Sequence, residues 1–297
     1  MKNFFWKNGP GYLFLSPWLI GFFCLTIGPI LISLYLAFTQ YDVVSPPQWV
    51  GLENFEFMFN YDDRFMQSMK VTFTYVFLSV PCKLIFALVV AMILDKGIRA
   101  IGFYRALFYL PSILGGSIAV AILWRQLFNH DGVINTILSY IGITGPYWLN
   151  DPDYSLYTLV VLSMWQFGSP MLIFLAGLRA IPQELYEAAQ IDAASKAKQF
   201  FSITVPLLTP VIFFNVTLQM IDAFKAFSSA FIISKGDGAP LDSLLFVTVY
   251  LYNEAFAYLR MGYASALAWV LFVIIAIFTA IAFFTSKYWV HYESGRD

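Results

Sequence analysis

Residues 187–192 read Glu-Ala-Ala-Gln-Ile-Asp and lie in a polar loop, residues 181–203, between two long apolar segments. Alanine has the highest intrinsic helix propensity, and acidic residues early in a helix are favoured by its dipole. Pro182 suits the first turn of a helix, where a missing N–H costs nothing. A charged, helix-forming loop of this kind does not lie in lipid. Its small side chains favour insertion into a groove on a partner, although the residue types alone fit an ordinary surface helix equally well.

The rest of the chain has the composition of an integral membrane protein. Its 297 residues are 60% hydrophobic, 19% aromatic and 12% charged, and the mean hydropathy is +0.71. Soluble domains usually carry about 25% charged residues. The net charge of −1 offers no basic surface for nucleic acid. Cys24 and Cys82 both fall in apolar stretches, so we expect packing residues rather than a disulfide or a metal pair.

Six apolar segments are each long enough to cross a bilayer, which takes about 20 residues in a helix. They are residues 12–38, 71–94, 106–127, 155–178, 204–233 and 262–286. Their periodicity is helical or uniformly apolar, unlike the alternation of a transmembrane barrel, and a helix pairs all its backbone groups in lipid. The sequence therefore predicts an all-α integral membrane protein with six transmembrane helices in a single domain, residues 1–297.

The basic residues are distributed unequally between the two sides of this topology. Six spans place both termini on one side, where the tails and the second and fourth loops carry ten lysine and arginine residues, against five in the remaining loops. Cytoplasmic loops carry the excess of basic residues. Both termini and loop 181–203 are therefore predicted to be cytoplasmic.

Three ionisable residues fall inside the predicted spans: Lys83, Asp222 and Lys225. A charge within a membrane is costly and by default marks an interior or functional position. Asp222 and Lys225 are three residues apart on one helix, so they can pair. Two interpretations stay open, a structural ion pair that holds helices together and a polar patch in a translocation path.

Loop 181–203 resembles the EAA loop of ABC-importer permeases. The resemblance is carried by residues 187–195, Glu-Ala-Ala-Gln-Ile-Asp-Ala-Ala-Ser, and by residues 203–208, Ile-Thr-Val-Pro-Leu-Leu. Further matching stretches are Leu-Trp-Arg-Gln-Leu-Phe-Asn at 123–129 and Trp-Gln-Phe-Gly-Ser-Pro at 165–170. Within this superfamily the chain is similar to the carbohydrate-importer branch, which includes the larger maltose permease subunit and glycerol-3-phosphate permeases.

This resemblance implies the type I ABC importer permease fold, with a cytoplasmic coupling helix seated in a cleft of an ATPase subunit. Nucleotide-driven closure of the ATPases would move that helix and switch the permease between its inward and outward openings. The coupling residues it implies are Glu187, Ala188, Ala189, Asp192 and Ala193, with Glu187 as the charged anchor. The chain departs from the family pattern at Ala193, where the family usually has glycine. Alanine disfavours the left-handed backbone that glycine adopts readily. We expect a tighter helical connection or a slightly re-aimed second helix, without loss of function.

The resemblance also implies partners in the inner membrane of a bacterial cell. They are a second homologous permease subunit, two ATP-binding subunits and an extracytoplasmic solute-binding protein. This chain has no Gly-x-x-x-x-Gly-Lys-Ser/Thr phosphate loop, so ATP and Mg²⁺ are expected on the partner ATPase. No enzymatic activity, cofactor or metal is expected in the chain itself.

Polar and aromatic residues midway along spans four and five suit a sugar, which is bound by stacking and by hydrogen bonds. By resemblance, the same parts of these spans supply the sugar site of the maltose permease. The resemblance carries over Phe167 and Gly168. Together with the polar and aromatic residues around them, the predicted translocation residues are Gln166, Phe167, Gly168, Met171, Gln219, Asp222, Lys225, Phe227 and Ser228. The family has an aromatic residue where this chain has Met171, which leaves the identity of the sugar open. Pro170 is expected to kink span four and to free a carbonyl near the path.

Two other classes of function stay open. A stand-alone secondary transporter or channel is compatible with ion coupling at Lys83 and Asp222, and the ATP dependence of uptake would distinguish it. A membrane-embedded enzyme would need a convergent catalytic set. The two histidines, His130 and His291, lie far apart in loops, and no nucleophile or metal spacing accompanies them.

Overall fold

The computed structural model describes residues 2–97 and 100–291, most of which are helical. The α-helices are α1 (Lys2–Phe22), α2 (Gly28–Leu36), α3 (Glu53–Asn60), α4 (Asp63–Asp95), α5 (Ile101–Leu114), α6 (Ile118–Leu127), α7 (Val133–Tyr140), α8 (Pro152–Trp165), α9 (Gly168–Ala180), α10 (Gln183–Ile191), α11 (Lys196–Gln199), α12 (Val205–Phe224), α13 (Ser228–Ile233), α14 (Val247–Tyr252) and α15 (Met261–Trp289). Turns of π-helix occupy Phe23–Ile27, Phe200–Thr204 and Asn253–Ala257. Two short antiparallel strands, β1 (Thr39–Gln40) and β2 (Gln48–Trp49), form a hairpin.

Four helical segments within the described residues are long and apolar enough to cross a membrane. They are Gly11–Leu36, Asp63–Asp95, Lys196–Ile233 and Met261–Trp289. Two further pairs, α5 with α6 and α8 with α9, meet the same test together, which gives up to six spans if each bent pair is one. The predicted class, an all-helical membrane protein, is confirmed.

Two of the predicted spans are not single helices. Span 106–127 is divided into α5 and α6, which turn by 96° at the Gly115-Gly116 pair. Span 155–178 is divided into α8 and α9, which bend by 45° just before Pro170. Proline has no N–H for the carbonyl four residues earlier, so the ladder of helical hydrogen bonds is interrupted there.

The predicted span 204–233 is also interrupted, although by a smaller break. Helix α12 ends at Phe224 and α13 begins at Ser228. Lys225 is the C-cap of α12, and its N–H donates a hydrogen bond to the carbonyl of Ile221 at 3.3 Å. Neither glycine nor proline occurs in the three intervening residues. The local sequence therefore does not predict this break.

The described chain divides into two compact units. The first contains the residues up to Asp62 together with Leu251–Val270. Its hairpin is fixed by the amide of Asn54, which donates to the carbonyls of Ala37 and Thr39 at 2.9 and 3.0 Å. These bonds satisfy backbone acceptors that lie outside the helices. The predicted single domain stays a prediction.

The second unit contains Asp63–Tyr250 and the residues from Leu271 onward. Helix α4 packs against α8, α9 and α12, while α5 packs against α9 and α6 against α13. Val76, Val80 and Ala87 on α4 are buried at intervals of four and seven residues. This spacing places them on one stripe of the helix.

The segment between α13 and α14 folds back into the second unit. Leu244, Leu245 and Phe246 lie outside the helices and are almost completely buried. The N–H of Val247 donates to the hydroxyl of Thr72 on α4 at 3.0 Å. Burying a large apolar side chain stabilises a fold by about 1.5–3 kcal/mol, so this loop is held by packing rather than by regular structure.

Candidate functional site

The predicted coupling loop, residues 181–203, forms two short helices. Helix α10 follows Pro182, which takes the capping position one residue before the first turn. Helix α11 is capped by Ser195, whose hydroxyl accepts from the N–H of Lys198 at 3.3 Å. The hydroxyls of Tyr186 and Thr204 lie 2.8 Å apart and connect α10 to the π-helical turn before α12. The loop is thus an ordered element that joins α9 to α12.

The connection at Ala193 corrects the sequence-based expectation. Ala193 adopts the left-handed conformation, with φ of 52°, that alanine was expected to disfavour. Its N–H donates to the carbonyl of Gln190 at 3.0 Å, and the N–H of Ala194 donates to that of Ala189 at 2.9 Å. These two bonds form a Schellman motif, which satisfies the last carbonyls of α10. The gain in hydrogen bonding outweighs the steric cost of a left-handed alanine.

The coupling residues form an exposed surface. Glu187, Ala188, Asp192 and Ala193 are exposed and Ala189 is half-buried. Sequence reasoning missed the apolar part of this surface. Three large apolar side chains are exposed there: Leu185 at 41%, Ile191 at 87% and Phe201 at 70%. Ile191 lies on α10 outside the half-buried stripe of the helix, where polar residues are usual. An isoleucine at such a position was the sequence signal that could have revealed this apolar surface.

A cavity of about 200 Å³ lies in the second unit. It is lined by residues from α4, α8, α12 and α13 and from the breaks between helices. The polar and aromatic lining residues include Lys83, Gln166, Gln219, Asp222, Phe227 and Ser228. Five of the nine predicted translocation residues therefore meet at one place, together with the intramembrane lysine of α4.

The other four predicted translocation residues do not line this cavity. Phe167 packs edge-on against Phe86, with ring centroids 4.8 Å apart, in an apolar groove on α4 and α5. Met171 is completely buried. A side chain on Gly168 would meet the backbone of α5, with Cα of Tyr109 only 2.7 Å away. The lack of a side chain at Gly168 allows α9 to pack closely against α5.

Lys225 is the fourth of these residues and pairs with Asp222. Its ammonium nitrogen lies 3.5 Å from the Asp222 carboxylate, and both side chains are more than half exposed. The two residues belong to the same end of α12, so their pair connects no two helices. The choice between a structural ion pair and a polar patch in the translocation path therefore stays open, and both remain predictions.

Candidate metal ligands do not cluster in the described part of the chain. Across residues 2–97 and 100–291, no three His, Cys, Asp or Glu side chains come close enough to hold a metal ion. The polar groups of the cavity are amides, hydroxyls, a carboxylate and an ammonium. Groups of this kind bind a polar ligand through hydrogen bonds.

Comparison with known proteins identifies the family. A family profile described as "Binding-protein-dependent transport system inner membrane component" matches residues 61–289. The chain belongs to this family. The importer-permease resemblance predicted from the coupling loop is thereby confirmed.

Individual relatives and structures extend this result over nearly the whole chain. The probable ABC transporter permease protein YesP of Bacillus subtilis (strain 168) is 54% identical over 291 residues, which cover 98% of this chain and 94% of YesP. The trehalose/maltose transport system permease protein MalF of Thermococcus litoralis is 33% identical over 276 residues, or 91% of each chain. A bacterial alginate ABC transporter, solved in complex with an alginate pentasaccharide-bound periplasmic protein, matches with a TM-score of 0.80 at 22% identity, covering 97% of both chains. The predicted importer permease fold is confirmed.

Proposed function

We propose that this permease imports a carbohydrate, as one subunit of an ATP-driven, binding-protein-dependent transporter. One observation carries the proposal. Loop 181–203, with its exposed Glu187 and Ile191, directly joins α9 to α12, and α12 supplies Gln219 and Asp222 to the cavity. A displacement of the loop is therefore transmitted along α12 to the residues that would hold the substrate.

The chemistry of the cavity suits a sugar. Gln166, Gln219 and Ser228 offer both donors and acceptors to hydroxyl groups, and Phe227 offers an apolar ring for stacking. Lys83 and Asp222 add one positive and one negative group, so the lining has no large net charge. Two of the similar proteins carry sugars in their names, trehalose and maltose for one and alginate for the other. Carbohydrate is the substrate class that both lines of support favour.

The chain would act with three kinds of protein partner in a lipid bilayer. No residue of the span Gly11–Leu36 is buried, which leaves an apolar helix available to lipid and to a second, homologous permease subunit. An extracytoplasmic solute-binding protein would deliver the sugar. Two ATP-binding subunits would hold ATP and Mg²⁺ and drive the cycle. Both termini and loop 181–203 would face the cytoplasm of a bacterial cell, as the distribution of basic residues predicts.

The coupling role is tested by co-purification with the ATPase encoded in the same operon, comparing the wild type with Glu187→Arg. Reversing the charge of an exposed anchor is expected to remove the ATPase while the second permease stays bound. Glu56→Arg is the matched control, because Glu56 is an exposed glutamate of α3, outside the loop. Undiminished capture of the ATPase by Glu187→Arg would mean that Glu187 is not the anchor.

The transport role is tested by uptake into vesicles that contain the assembled complex. Maltose, trehalose and an alginate trisaccharide, each supplied with the binding protein, form the first panel. Uptake that requires ATP inside the vesicle supports the importer. Uptake that persists without ATP and collapses with the ion gradient would instead support a stand-alone secondary transporter.

A further inference from the structure

Gln166 lies where two breaks in membrane helices meet. It is the C-cap residue that follows α8 at the bend to α9, and its side chain reaches the carbonyl of Gly115 at the break between α5 and α6, with Nε2 and O 3.2 Å apart. A carbonyl can only accept a hydrogen bond, so the NH₂ group of the amide must face Gly115. One N–H is thereby used, and the other N–H and the amide oxygen are available to a ligand in the cavity.

Ser112 fixes the backbone at the same place. Its hydroxyl donates to the carbonyl of Gln166 at 2.9 Å and accepts from the N–H of Ser169 at 3.0 Å. The carbonyl of Gln166 is the group that Pro170 leaves without a helical donor, so Ser112 replaces the missing bond. The position of Gln166 is therefore determined from both sides, by Ser112 at the backbone and by Gly115 at the side chain.

The absence of a side chain at Gly115 makes this arrangement possible. A Cβ atom built there would overlap Cγ and Cδ of Gln166 and lie 2.7 Å from Nε2. The φ of Gly115 is −61°, a value open to any residue, so alanine would meet no backbone strain. The next residue, Gly116, also lines the cavity, but a Cβ there would have nothing within 4 Å. Gly115 is buried and Gly116 is exposed, and a side chain would contact Gln166 only at position 115.

We infer that Gly115 and Ser112 are positioning residues for substrate selection, acting by holding the Gln166 amide against the wall of the cavity. Any side chain at position 115 would overlap Gln166 and displace this amide, which lines a cavity of only about 200 Å³. A fixed amide presents one acceptor and one donor to a sugar hydroxyl at a constant distance. The consequence for sugar selection rests on the proposed function, whereas the displacement of the amide does not.

The displacement is tested without any sugar. In a background with Cys24→Ala and Cys82→Ala, Ser228→Cys places one thiol on the cavity wall, and its rate of labelling by trimethylammonium-ethyl methanethiosulfonate is measured in the assembled complex. Gly115→Ala is expected to slow labelling, Gly116→Ala to leave it near the parent rate, and adding Gln166→Ala to restore it. An equal effect of both glycine variants, no effect of Gly115→Ala, or no restoration would each overturn the inference.

A folding defect in Gly115→Ala would still be informative. The double variant with Gln166→Ala has no amide to displace, so it is expected to assemble and to label like Gln166→Ala alone. Failure of the double variant to assemble would show that position 115 acts through another contact and would overturn the inference.

Selection is tested with the panel of maltose, trehalose and alginate trisaccharide. Loss of one well-placed hydrogen bond corresponds to about a fivefold rise in KM, which we expect for Gly115→Ala and Ser112→Ala with little change in Vmax. The effect of Gly115→Ala should vanish in the Gln166→Ala background, because interacting sites are not additive. If the wild type takes up none of these three sugars with ATP, none of them is its substrate, and the labelling rates alone decide the role of Gly115.

Discussion

The guanidinium of Arg64 donates two hydrogen bonds to the carboxylate of Asp242, at 2.7 and 3.0 Å. Arg64 belongs to the first turn of α4, and Asp242 to the loop between α13 and α14, 178 residues later. A further N–H of the same guanidinium lies 3.3 Å from the carbonyl of Asp237. The planar, forked arrangement of donors connects the outer part of this loop to α4.

We predict that Arg64→Ala increases hydrogen exchange across residues 235–246. A bidentate pair that is partly exposed is worth about 1 kcal/mol, which corresponds to a severalfold rise in local opening. Arg64→Lys keeps the charge but not the fork, so it should rescue only part of the protection. Mass-spectrometric exchange measures both variants. Unchanged protection in Arg64→Ala would assign the order of this loop to the packing of Leu244, Leu245 and Phe246 alone.

Ala193→Gly is expected to stabilise the coupling loop and to leave uptake near the wild-type level. A left-handed conformation costs alanine about 1 kcal/mol, and glycine avoids this cost. The control is Ala188→Gly, in the interior of α10, which should instead lose about 1 kcal/mol. Thermal unfolding of the purified complex compares the two. A destabilised Ala193→Gly, or a large loss of uptake, would contradict the role assigned to the Schellman motif.

Gly168→Ala is expected to destabilise the second unit rather than to change sugar affinity alone. The added methyl group would meet the carbonyl of Phe108 and Cα of Tyr109, and backbone atoms cannot move aside as a flexible side chain can. Overpacking of this kind costs about 1–3 kcal/mol. Gly102→Ala, on α5 with nothing within 4 Å of its Cβ, is the matched control. A normal melting temperature combined with a raised KM would return Gly168 to the substrate path.

The sequence predicted helices and bends correctly wherever one local property dominates. Apolar length was sufficient for α4 and α15, and the missing N–H of Pro170 was sufficient for the bend in span four. The break after Phe224 was not predictable, because no residue there disfavours a helix. The orientation of Phe167 and Met171 was not predictable either, since the bend changes which residues face the cavity. At Ala193 intrinsic preference indicated the wrong backbone, because two capping hydrogen bonds outweigh it.

Asp222→Ala is expected to lower ATP-dependent uptake while the complex still assembles. The carboxylate lines the cavity, so its loss removes an acceptor for sugar hydroxyls and leaves Lys83 there without its counter-charge. Its pair with Lys225 is exposed and lies within one helix end, and such pairs contribute little to stability. Lys225→Ala therefore serves as the control, because it breaks the same pair but keeps the carboxylate.

Size-exclusion chromatography of the complex and uptake of the sugar panel separate the two possible roles of Asp222. Normal uptake by Asp222→Ala would remove this residue from the translocation path. Loss of assembly in both variants would assign the pair a structural role, despite its exposure. Loss of uptake in Asp222→Ala alone, with both complexes intact, would place the carboxylate in the translocation path, because both variants break the pair with Lys225 and only Asp222→Ala removes the carboxylate from the cavity.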